Sequence, residues 1–599
     1  MSFAQLKATR NLRNTHARHS YVTSDPLSTR LQAAEDSIEH QVSNPDPTLG
    51  STPTLYKSIP SSLLEVKTDA TKGRGLWTKQ RIPSGQNILA LLPYAAALSS
   101  GKLSTYCSLC SSASVSPLRC TQCQMVYYCD ATCQSADWPV HKFECPALRR
   151  CIPASATEET SEDMAQGVAI PGDAVRCLAR MMWRKRRKGL ARRKKLTLCK
   201  RVNPPATPSA QEQHTHLALS LVRFLGLSSP QELAEFGINS GAELAQIVAK
   251  FTPNTFTLSA PDLTPIGACI SPPVALINHS CQPNAVVVFS GSDRGKEPIL
   301  HVVTIREVEA GQEILTAYID TTLPRIQRQH AIKETYNFDC VCVLCGQEGK
   351  RADPRESVWC SKRCGGLCPM PTEEDPLSQC DSCNTVLRDT DAVLDATRVG
   401  QQGLDKAQTV QFSDRSKSQQ LTTNLIPILA SAGLTPASHP LLALRRLHLG
   451  MLIEDVSIVS SSSSLAAAEA QKILDEAVIT ATQVCAGLDM IMSYGHPVRG
   501  LARAELGKLL AVDEPEPRLS PPTAAPGPFP PSGSARLRLA LDTLLLAREE
   551  LKIGFGVANE GGDIGRVVRE DIVRLEKELG IWKARGGEAM RDAKAGNLK

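Results

Sequence analysis

The first feature of the chain is a set of short apolar runs separated by turn residues. Apolar runs at 63–66 and 87–92 flank the turn sequence Pro83-Ser84-Gly85, which predicts strands joined by tight turns. Similar runs return at 265–289 and 297–319. We therefore expect a small β core assembled from two stretches that are far apart in the sequence.

Helical periodicity lies between these two stretches and again in the C-terminal part. Residues 216–227 and 242–251 have helical spacing, which predicts a helical insertion at about 170–250. Helices dominate from about residue 405, and Pro497 is placed to begin a helix that runs to Leu510. Two apolar faces there have helical spacing: Leu444, Leu447 and Met451, and Ile564, Val568, Ile572, Leu575 and Leu579. No fixed period emerges, so we expect a solenoid-like array of helix pairs.

Composition adds the class of protein. The 599 residues are 42% hydrophobic and 21% charged, as in globular proteins, and the forty prolines indicate linkers. We expect residues 1–55 to be disordered, and the serine run at 460–464 and the proline-rich stretch at 513–534 to be solvated loops. The sequence has no apolar signal segment and no run of about 18 apolar residues, so we expect a protein that is neither secreted nor membrane-spanning.

Two basic segments leave the cellular location open. The first 24 residues contain basic residues but no acid, which is typical of a disordered arm or of a mitochondrial transit peptide. The arginines there are Arg10, Arg13 and Arg18. The run at 184–195 is typical of a solvated insertion, a nuclear-import signal or a DNA contact. A net charge of +6 is too small over this length to imply nucleic-acid binding. We expect a location in nucleus and cytoplasm, with mitochondrial import as the alternative.

Cysteine is the most informative residue type. Of 21 cysteines, seven lie within 107–145 and eight within 340–383. In a reducing compartment, clustered cysteines indicate metal sites before disulfides. Five others have no evident partner and are interpreted as ordinary thiols: Cys151, Cys177, Cys199, Cys269 and Cys485.

The first cysteine cluster has the spacing of two structural zinc sites. Its candidate ligands are Cys107, Cys110, Cys120, Cys123, Cys129, Cys133, His141 and Cys145. Thiolates separated by two residues can bind one tetrahedral ion, and four ligands close each site. Ligands four residues apart, as in Cys129/Cys133 and His141/Cys145, are predicted to share a helical turn. Because so short a segment has almost no apolar core, bound metal would have to supply the free energy of its folding. Disulfides or chance are the alternatives.

The second cluster divides into two parts. Cys340, Cys342 and Cys345 supply three thiolates, one fewer than a closed zinc site requires. Further along lie four more cysteines in two pairs, with Cys368 between them. The pairs are Cys360-x3-Cys364 and Cys380-x2-Cys383. They predict a further zinc ribbon, and unpaired surface cysteines are the alternative.

Three short segments flank the first cluster: residues 72–77, 277–284 and 311–320. Each alone has an ordinary structural explanation, namely a glycine turn, a hydrogen-bonded Asn278-His279 pair and a packed Tyr318. Together and in this order they resemble the SET domain of lysine methyltransferases. The cysteine-rich module resembles the MYND finger, down to Tyr127-Tyr128-Cys129. The combination is similar to the SET-and-MYND (SMYD) family over about 63–385.

The resemblance implies the roles of individual residues. The finger would bind two zinc ions in interleaved fashion, through Cys107, Cys110, Cys129 and Cys133 and through Cys120, Cys123, His141 and Cys145. Cys281 would complete the site of Cys340, Cys342 and Cys345, with a free buried cysteine as the alternative. Tyr318 would be the catalytic tyrosine, and Tyr336 and Phe338 would line the lysine channel. S-adenosylmethionine would be bound by Lys72, Arg74, Asn254, Asn278, His279 and Phe338. Gln312 departs from the family, which often has an acid there.

The implied fold is α+β, with a SET β core, an inserted MYND finger, a post-SET zinc site and a helical, TPR-like C-terminal domain. The domains are a disordered arm at 1–55, the first SET part at 56–106, the finger at 107–145, a linker and helical insertion at 146–253, the SET core at 254–321, the post-SET zinc region at 322–385 and helices at 386–599.

The implied function is methylation of histone or other protein lysines with S-adenosylmethionine and three or four zinc ions. An adaptor on an inactive SET scaffold and a DNA-binding regulator are the alternatives. The finger would bind proline-rich peptides or contact DNA, and no membrane partner is expected.

Overall fold

The computed structural model describes residues 58–70, 72–114, 116–151, 170–189, 208–291, 293–346, 352–459, 467–515 and 529–596. The predicted disordered arm at 1–55, the serine run at 460–464, Cys199 and most of the proline-rich stretch at 513–534 lie outside these residues. Three regions are named below by their described residues: the sheet half (58–346), the ribbon (352–387) and the helical half (390–596).

The strands confirm a β core made of small sheets. Their bounds are β1 Leu64–Asp69, β2 Gly73–Thr78, β3 Asn87–Leu91, β4 Ala95–Leu98, β5 Leu118–Arg119, β6 Tyr127–Tyr128, β7 Thr255–Ser259, β8 Pro265–Ile270, β9 Asn278–His279, β10 Ala285–Phe289, β11 Leu300–Thr304, β12 Leu315–Thr316, β13 Ser357–Trp359 and β14 Leu367–Pro369. In the described residues they form the sheets β10-β11-β3 and β4-β8-β7 and the pairs β1-β2, β5-β6, β9-β12 and β13-β14. The β9-β12 pair is parallel and the others are antiparallel.

The helices follow the predicted division of the chain. Their bounds are α1 Ala131–Arg150, α2 Asp173–Gly189, α3 Pro208–Leu225, α4 Pro230–Ala234, α5 Gly241–Phe251, α6 Arg325–Tyr336, α7 Val343–Gly346, α8 Thr390–Val410, α9 Arg415–Ser431, α10 Leu441–Val459, α11 Ala467–Ile491, α12 Pro497–Leu510, α13 Gly533–Phe555 and α14 Gly562–Gly596. Helix α8 begins at Thr390, close to the predicted domain boundary at 386 and earlier than residue 405, from which helical spacing was expected to dominate. Helix α12 begins at Pro497, as predicted.

A long insertion separates two neighbouring strands of one sheet. Strand β4 pairs with β8 from Ala95↔Ile270 to Leu98↔Gly267, and the cysteine-rich module and helices α1–α5 lie between them in the sequence. Helix α2 packs on β4, so the insertion folds back over the sheet that it interrupts. The module is therefore part of the sheet half and is not a separate appendage.

The helical half packs directly on the β core. Consecutive helices from α8 to α14 pack against one another in sequence order, which confirms the solenoid-like array. The buried side chains of Val288 on β10 and Val303 on β11 join the helical core, which includes Phe555 of α13. In the described part of the chain, every helix falls short of the length and apolar character that a membrane crossing requires.

Candidate active site

Backbone pairing brings the three segments flanking the cysteine-rich module together. The parallel pair of β9 and β12 places Asn278 beside Leu315 and His279 beside Thr316. A bridge between Trp77 and Glu313 then joins the glycine-containing strand β2 to the same place. Residues more than 200 positions apart thus form one site.

Glu313 holds the three segments through its buried carboxylate. It accepts a hydrogen bond from Asn278 Nδ2 at 2.7 Å and pairs with Lys72 Nζ at 3.3 Å. Asn278 Nδ2 also lies 3.3 Å from the carbonyl oxygen of Arg74. A Cβ at Gly75 would lie 2.4 Å from Glu313 Oε1, so any side chain here would have to displace the Glu313 carboxylate. Glu313 had no predicted role from the sequence. The available signal was its acidic side chain directly after Gln312, where the family often has an acid.

Tyr318 belongs to a cluster of four aromatic rings, with those of His279, Tyr336 and Phe338. The ring centroid of Tyr318 lies 5.1 Å from that of His279 and 4.9 Å from that of Tyr336, and Phe338 lies 6.2 Å from His279. The hydroxyl donates to the carbonyl oxygen of Ile277 at 2.5 Å. Loss of hydration, followed by the charges of Tyr336 and Glu313, raises the pKa of Tyr318 well above that of an ordinary phenol. The hydroxyl is therefore neutral at physiological pH.

Asn254 lies at the end of a short 3₁₀ turn, Thr252–Asn254, between α5 and β7. Its buried side chain donates to the carbonyl oxygen of Lys250 at 2.7 Å. The turn packs against α6, the helix that ends at Tyr336. Asn254 is thus positioned on the side of the site that carries the aromatic rings.

The structure groups Cys281 with Cys340, Cys342 and Cys345, as predicted. The sulfur of Cys281 lies 4.0 Å from that of Cys340 and 3.5 Å from that of Cys345. A tetrahedral zinc ion with bonds of about 2.3 Å to thiolates separates the sulfurs by about 3.8 Å, so the four thiolates fit zinc. His279 links this group to the aromatic rings: its Nε2 lies 3.3 Å from Cys281 Sγ, and its Nδ1 accepts from the Tyr318 N–H at 3.1 Å.

The cysteine-rich module contains both interleaved groups that the resemblance implies. One is Cys107, Cys110, Cys129 and Cys133, and the other is Cys120, Cys123, His141 and Cys145. Distances of 3.6 Å from Cys110 Sγ to Cys129 Sγ and from Cys123 Sγ to His141 Nε2 again fit zinc. The predicted helical turn is right for His141/Cys145 but wrong for Cys129/Cys133. Helix α1 begins at Ala131, after the N-cap Asp130 accepts from the Cys133 N–H, so Cys129 precedes it.

A buried ion-pair network fixes the module on the sheet half. Glu144 of α1 is fully buried and accepts from Arg176 Nε at 2.8 Å and from Arg180 Nη2 at 2.6 Å, both on α2. Burial alone would raise the pKa of Glu144, but Arg176 and Arg180 hold it well below its ordinary value. From the other side, the N–H of Gly295 donates to Cys133 Sγ at 3.2 Å.

We expect Glu144→Gln to destabilise the sheet half by about 3–5 kcal/mol, because it leaves the buried Arg176 without a countercharge and Arg180 with only Asp137 at 3.6 Å. The matched control is Glu235→Gln, which removes a surface partner of Arg186 and should leave the melting temperature nearly unchanged. Calorimetric melting of both variants checks this. Equal melting temperatures would mean that the network does not stabilise the docking of the module.

The predicted ribbon cysteines Cys360, Cys364, Cys380 and Cys383 also lie close enough to hold one ion. Cys368 is buried beside them and outside the group. Of the cysteines interpreted as ordinary thiols, four are described, and all four are buried: Cys151, Cys177, Cys269 and Cys485.

The basic run begins inside α2, and the interpretation as a solvated insertion is wrong for Arg184. Its guanidinium is half-buried, contacts the carbonyl oxygens of Pro93 and Tyr94, and pairs with Glu297 at 2.5 Å. Arg186 is exposed and pairs with Glu235 at 2.7 Å. Residues 190–195 lie outside the described residues.

Comparison with known proteins agrees with this geometry. The model of the MYND finger matches residues 107–145. The chain is 27% identical over 303 residues to the mouse histone-lysine N-methyltransferase SMYD3 and 28% identical over 296 residues to the Xenopus laevis N-lysine methyltransferase SMYD2-B. The chain is thus similar to SET-and-MYND proteins. These alignments cover 49% and 47% of this chain and only 65% and 60% of the two relatives. A solved SET domain of LSMT bound to lysine and AdoHcy matches at 10% identity and a TM-score of 0.24, too low to compare the folds.

The site has polar groups that fit S-adenosylmethionine. The indole N–H of Trp77 is buried and has no hydrogen-bond partner among the residues that the structure describes; its Nε1 lies 3.1 Å from the position of a Cβ on Gly75, where Asn278 and Glu313 also converge. The Trp77 N–H can donate to a carboxylate, and the buried Glu313 carboxylate can lie near a positive charge. Both suit a ligand that has a carboxylate and a cationic centre. The residues of the three segments would hold it.

Proposed function

We propose that this protein is an S-adenosylmethionine-dependent protein-lysine N-methyltransferase of the SET-and-MYND type that acts on histone or other protein lysines. The observation that carries the proposal is Tyr318, whose ring lies beside those of His279 and Tyr336 and whose hydroxyl donates to the Ile277 carbonyl. The names of the similar mouse and frog proteins support the same activity. Retention of both Tyr318 and Asn278 in a connected site favours an enzyme over an adaptor.

The residues of the chain would orient the reactants and exclude water. S-adenosylmethionine supplies an electrophilic methyl group when it is bound. The neutral hydroxyl of Tyr318 donates to Ile277, so its lone pairs remain available to orient the methyl C–H bonds and the target amine. Tyr336 and Phe338 offer aromatic faces on which an ammonium group can rest. An apolar channel favours the neutral amine over the ammonium form, as methyl transfer requires.

The cofactor residues implied by the family resemblance form part of the proposal. Lys72 and Asn278 both bind Glu313, Asn278 also donates to the backbone carbonyl of Arg74, and the ring centroids of His279 and Phe338 lie 6.2 Å apart. We assign these five residues, together with Asn254, to cofactor binding. The connection of all three segments through Glu313 supports the assignment.

Interaction of the finger with proline-rich peptides is also proposed, and Trp138 supports it. Its side chain is 43% exposed on α1, and exposed aromatic rings are the surfaces on which proline-rich peptides dock. DNA contact has less support, because Arg184 and Arg186 are already paired with acids. Nuclear and cytoplasmic location, with mitochondrial import as the alternative, is likewise proposed from the two basic segments.

The activity is tested by incubating the purified full chain with labelled methyl donor and whole-cell extract. We expect labelled protein bands whose label resides on lysine after hydrolysis. The Tyr318→Phe protein gives the matched background. Absence of any band above that background, with donor binding retained by both proteins, would favour the adaptor.

A further inference from the structure

The four ribbon cysteines have the geometry of an ion site. Their sulfur atoms are separated by 3.5 Å for Cys360 and Cys383, 3.5 Å for Cys364 and Cys380, and 3.4 Å for Cys364 and Cys383. These separations are close to the about 3.8 Å expected for thiolates around one tetrahedral zinc ion. Four neutral thiols would have no reason to converge in this way.

The backbone repeats a turn found in the finger. After Cys107-x2-Cys110 and Cys120-x2-Cys123, the next residue has a positive φ and donates its N–H to the carbonyl oxygen of the first cysteine. These residues are Ser111, with φ 59° and 2.9 Å, and Gln124, with φ 55° and 2.9 Å. After Cys380-x2-Cys383, Asn384 has φ 54° and donates to Cys380 at 3.0 Å. The ribbon therefore contains the same metal-binding turn.

Backbone N–H groups also point at the ribbon sulfurs. Gly366 N–H donates to Cys364 Sγ at 3.4 Å, and Ser382 N–H donates to Cys380 Sγ at 3.5 Å. Such bonds stabilise thiolates, the form that binds metal. A Cβ at Gly366 would lie 2.6 Å from Cys380 Sγ, so only glycine permits this approach.

One face of the group is buried and the other is open. Cys360 and Cys380 belong to a core shared with helices α8–α10, which includes Leu434 and Leu441. Cys364 and Cys383 are exposed, whereas the cysteines of the other three groups are buried or half-buried. An ion here would be the most accessible of the four to a chelator.

The ribbon joins the sheet half to the helical half. Trp359 N–H donates to the Gly433 carbonyl at 2.8 Å, and Ser438 Oγ donates to the Ser357 carbonyl, both in the segment between α9 and α10. The buried Arg355 then donates to the carbonyl oxygens of Thr321, just after the site, and of Ile491, at the end of α11. The segment that leads into Cys360 therefore contacts both halves.

We propose that Cys360, Cys364, Cys380 and Cys383 bind a fourth zinc ion, which clamps the helical half to the sheet half and exchanges most readily of the four. The ion needs no part in methyl transfer. Its partial exposure makes it the point at which zinc supply or competing thiols would act on the joint between the halves. The proposal stands apart from the activity and is tested without it.

Elemental analysis of the full chain should give four zinc ions. Cys364→Ser and Cys383→Ser should each give three, while Cys368→Ser, in the same ribbon but outside the group, should give four. The same zinc content in the parent and in both ligand variants would overturn the proposal.

A second measurement uses the parent protein alone, in case the variants do not fold. Cys364 and Cys383 should resist iodoacetamide while zinc is bound, although they are exposed, and their alkylation should accelerate about tenfold or more after a chelator removes one equivalent of zinc. Hydrogen exchange should then increase at 354–370 and 433–439 and stay unchanged at 107–145. Immediate alkylation of both exposed thiols in the zinc-loaded protein, or loss of the first ion from the finger, would overturn the proposal.

Discussion

Replacing Tyr318 with phenylalanine is expected to lower methyl transfer by about 100- to 1,000-fold, the usual effect of removing one well-placed hydrogen-bonding group from an active site. The ring packing against His279 and Tyr336 is retained. The lost group is the hydroxyl bonded to Ile277, the backbone neighbour of Asn278. Because the cofactor contacts proposed for the three segments remain, calorimetric affinity for S-adenosylmethionine should change only several-fold.

The matched control is Tyr336→Phe. Its hydroxyl makes a longer bond, 3.4 Å to the Tyr318 carbonyl, so its removal should lower the rate far less. Rates and affinities of the two variants are measured on the same labelled substrate. Near-parental activity of Tyr318→Phe would show that Tyr318 is not the catalytic tyrosine.

Replacing Cys281 with serine is expected to abolish activity and to release one zinc ion. The substitution is nearly isosteric, but a zinc ion held by Cys340, Cys342 and Cys345 would lose its fourth thiolate. Cys281 also lies 3.3 Å from His279, whose other ring nitrogen accepts from the Tyr318 N–H. Loss of the ion would therefore loosen both walls of the lysine channel at once.

Cys269→Ser is the matched control, because Cys269 is fully buried in the same half and lies outside the four metal groups. It should keep its zinc content and most of its activity. Zinc content and activity are measured together on both variants and on Cys340→Ser. If Cys281→Ser retains its full zinc while Cys340→Ser loses one ion, the fourth ligand lies elsewhere.

The metal groups could be predicted from sequence because most of their ligands are local. A pair such as Cys120 and Cys123 determines its own turn, and the resemblance supplied the interleaving and the distant ligand Cys281. The three segments of the site were likewise recognisable as short motifs. Helical spacing identified the insertion and the C-terminal array for the same reason, since it depends only on neighbouring residues.

The features that the sequence did not predict depend on distant partners. Glu313 becomes central only because Lys72 and Asn278 fold against it. Arg184 resembles a free basic residue until Glu297, 113 positions away, is beside it. Helical spacing was recognised only from about residue 405, after the start of α8 at Thr390. The first turns of α8 carry many polar residues and pack on the ribbon side of the core. No local pattern carries such information.

The pairing of β4 with β8 also constrains the order in which the chain can fold. These strands lie about 170 residues apart, and closing so long a loop is entropically unfavourable until the intervening chain becomes compact. The finger needs only residues 107–145 and its metal, so it can form while later residues are still being synthesised. If zinc is available during translation, the finger folds and shortens the chain between β4 and β8 before β8 is synthesised. Chains made without it would expose the unpaired edge of β4 and be prone to aggregate.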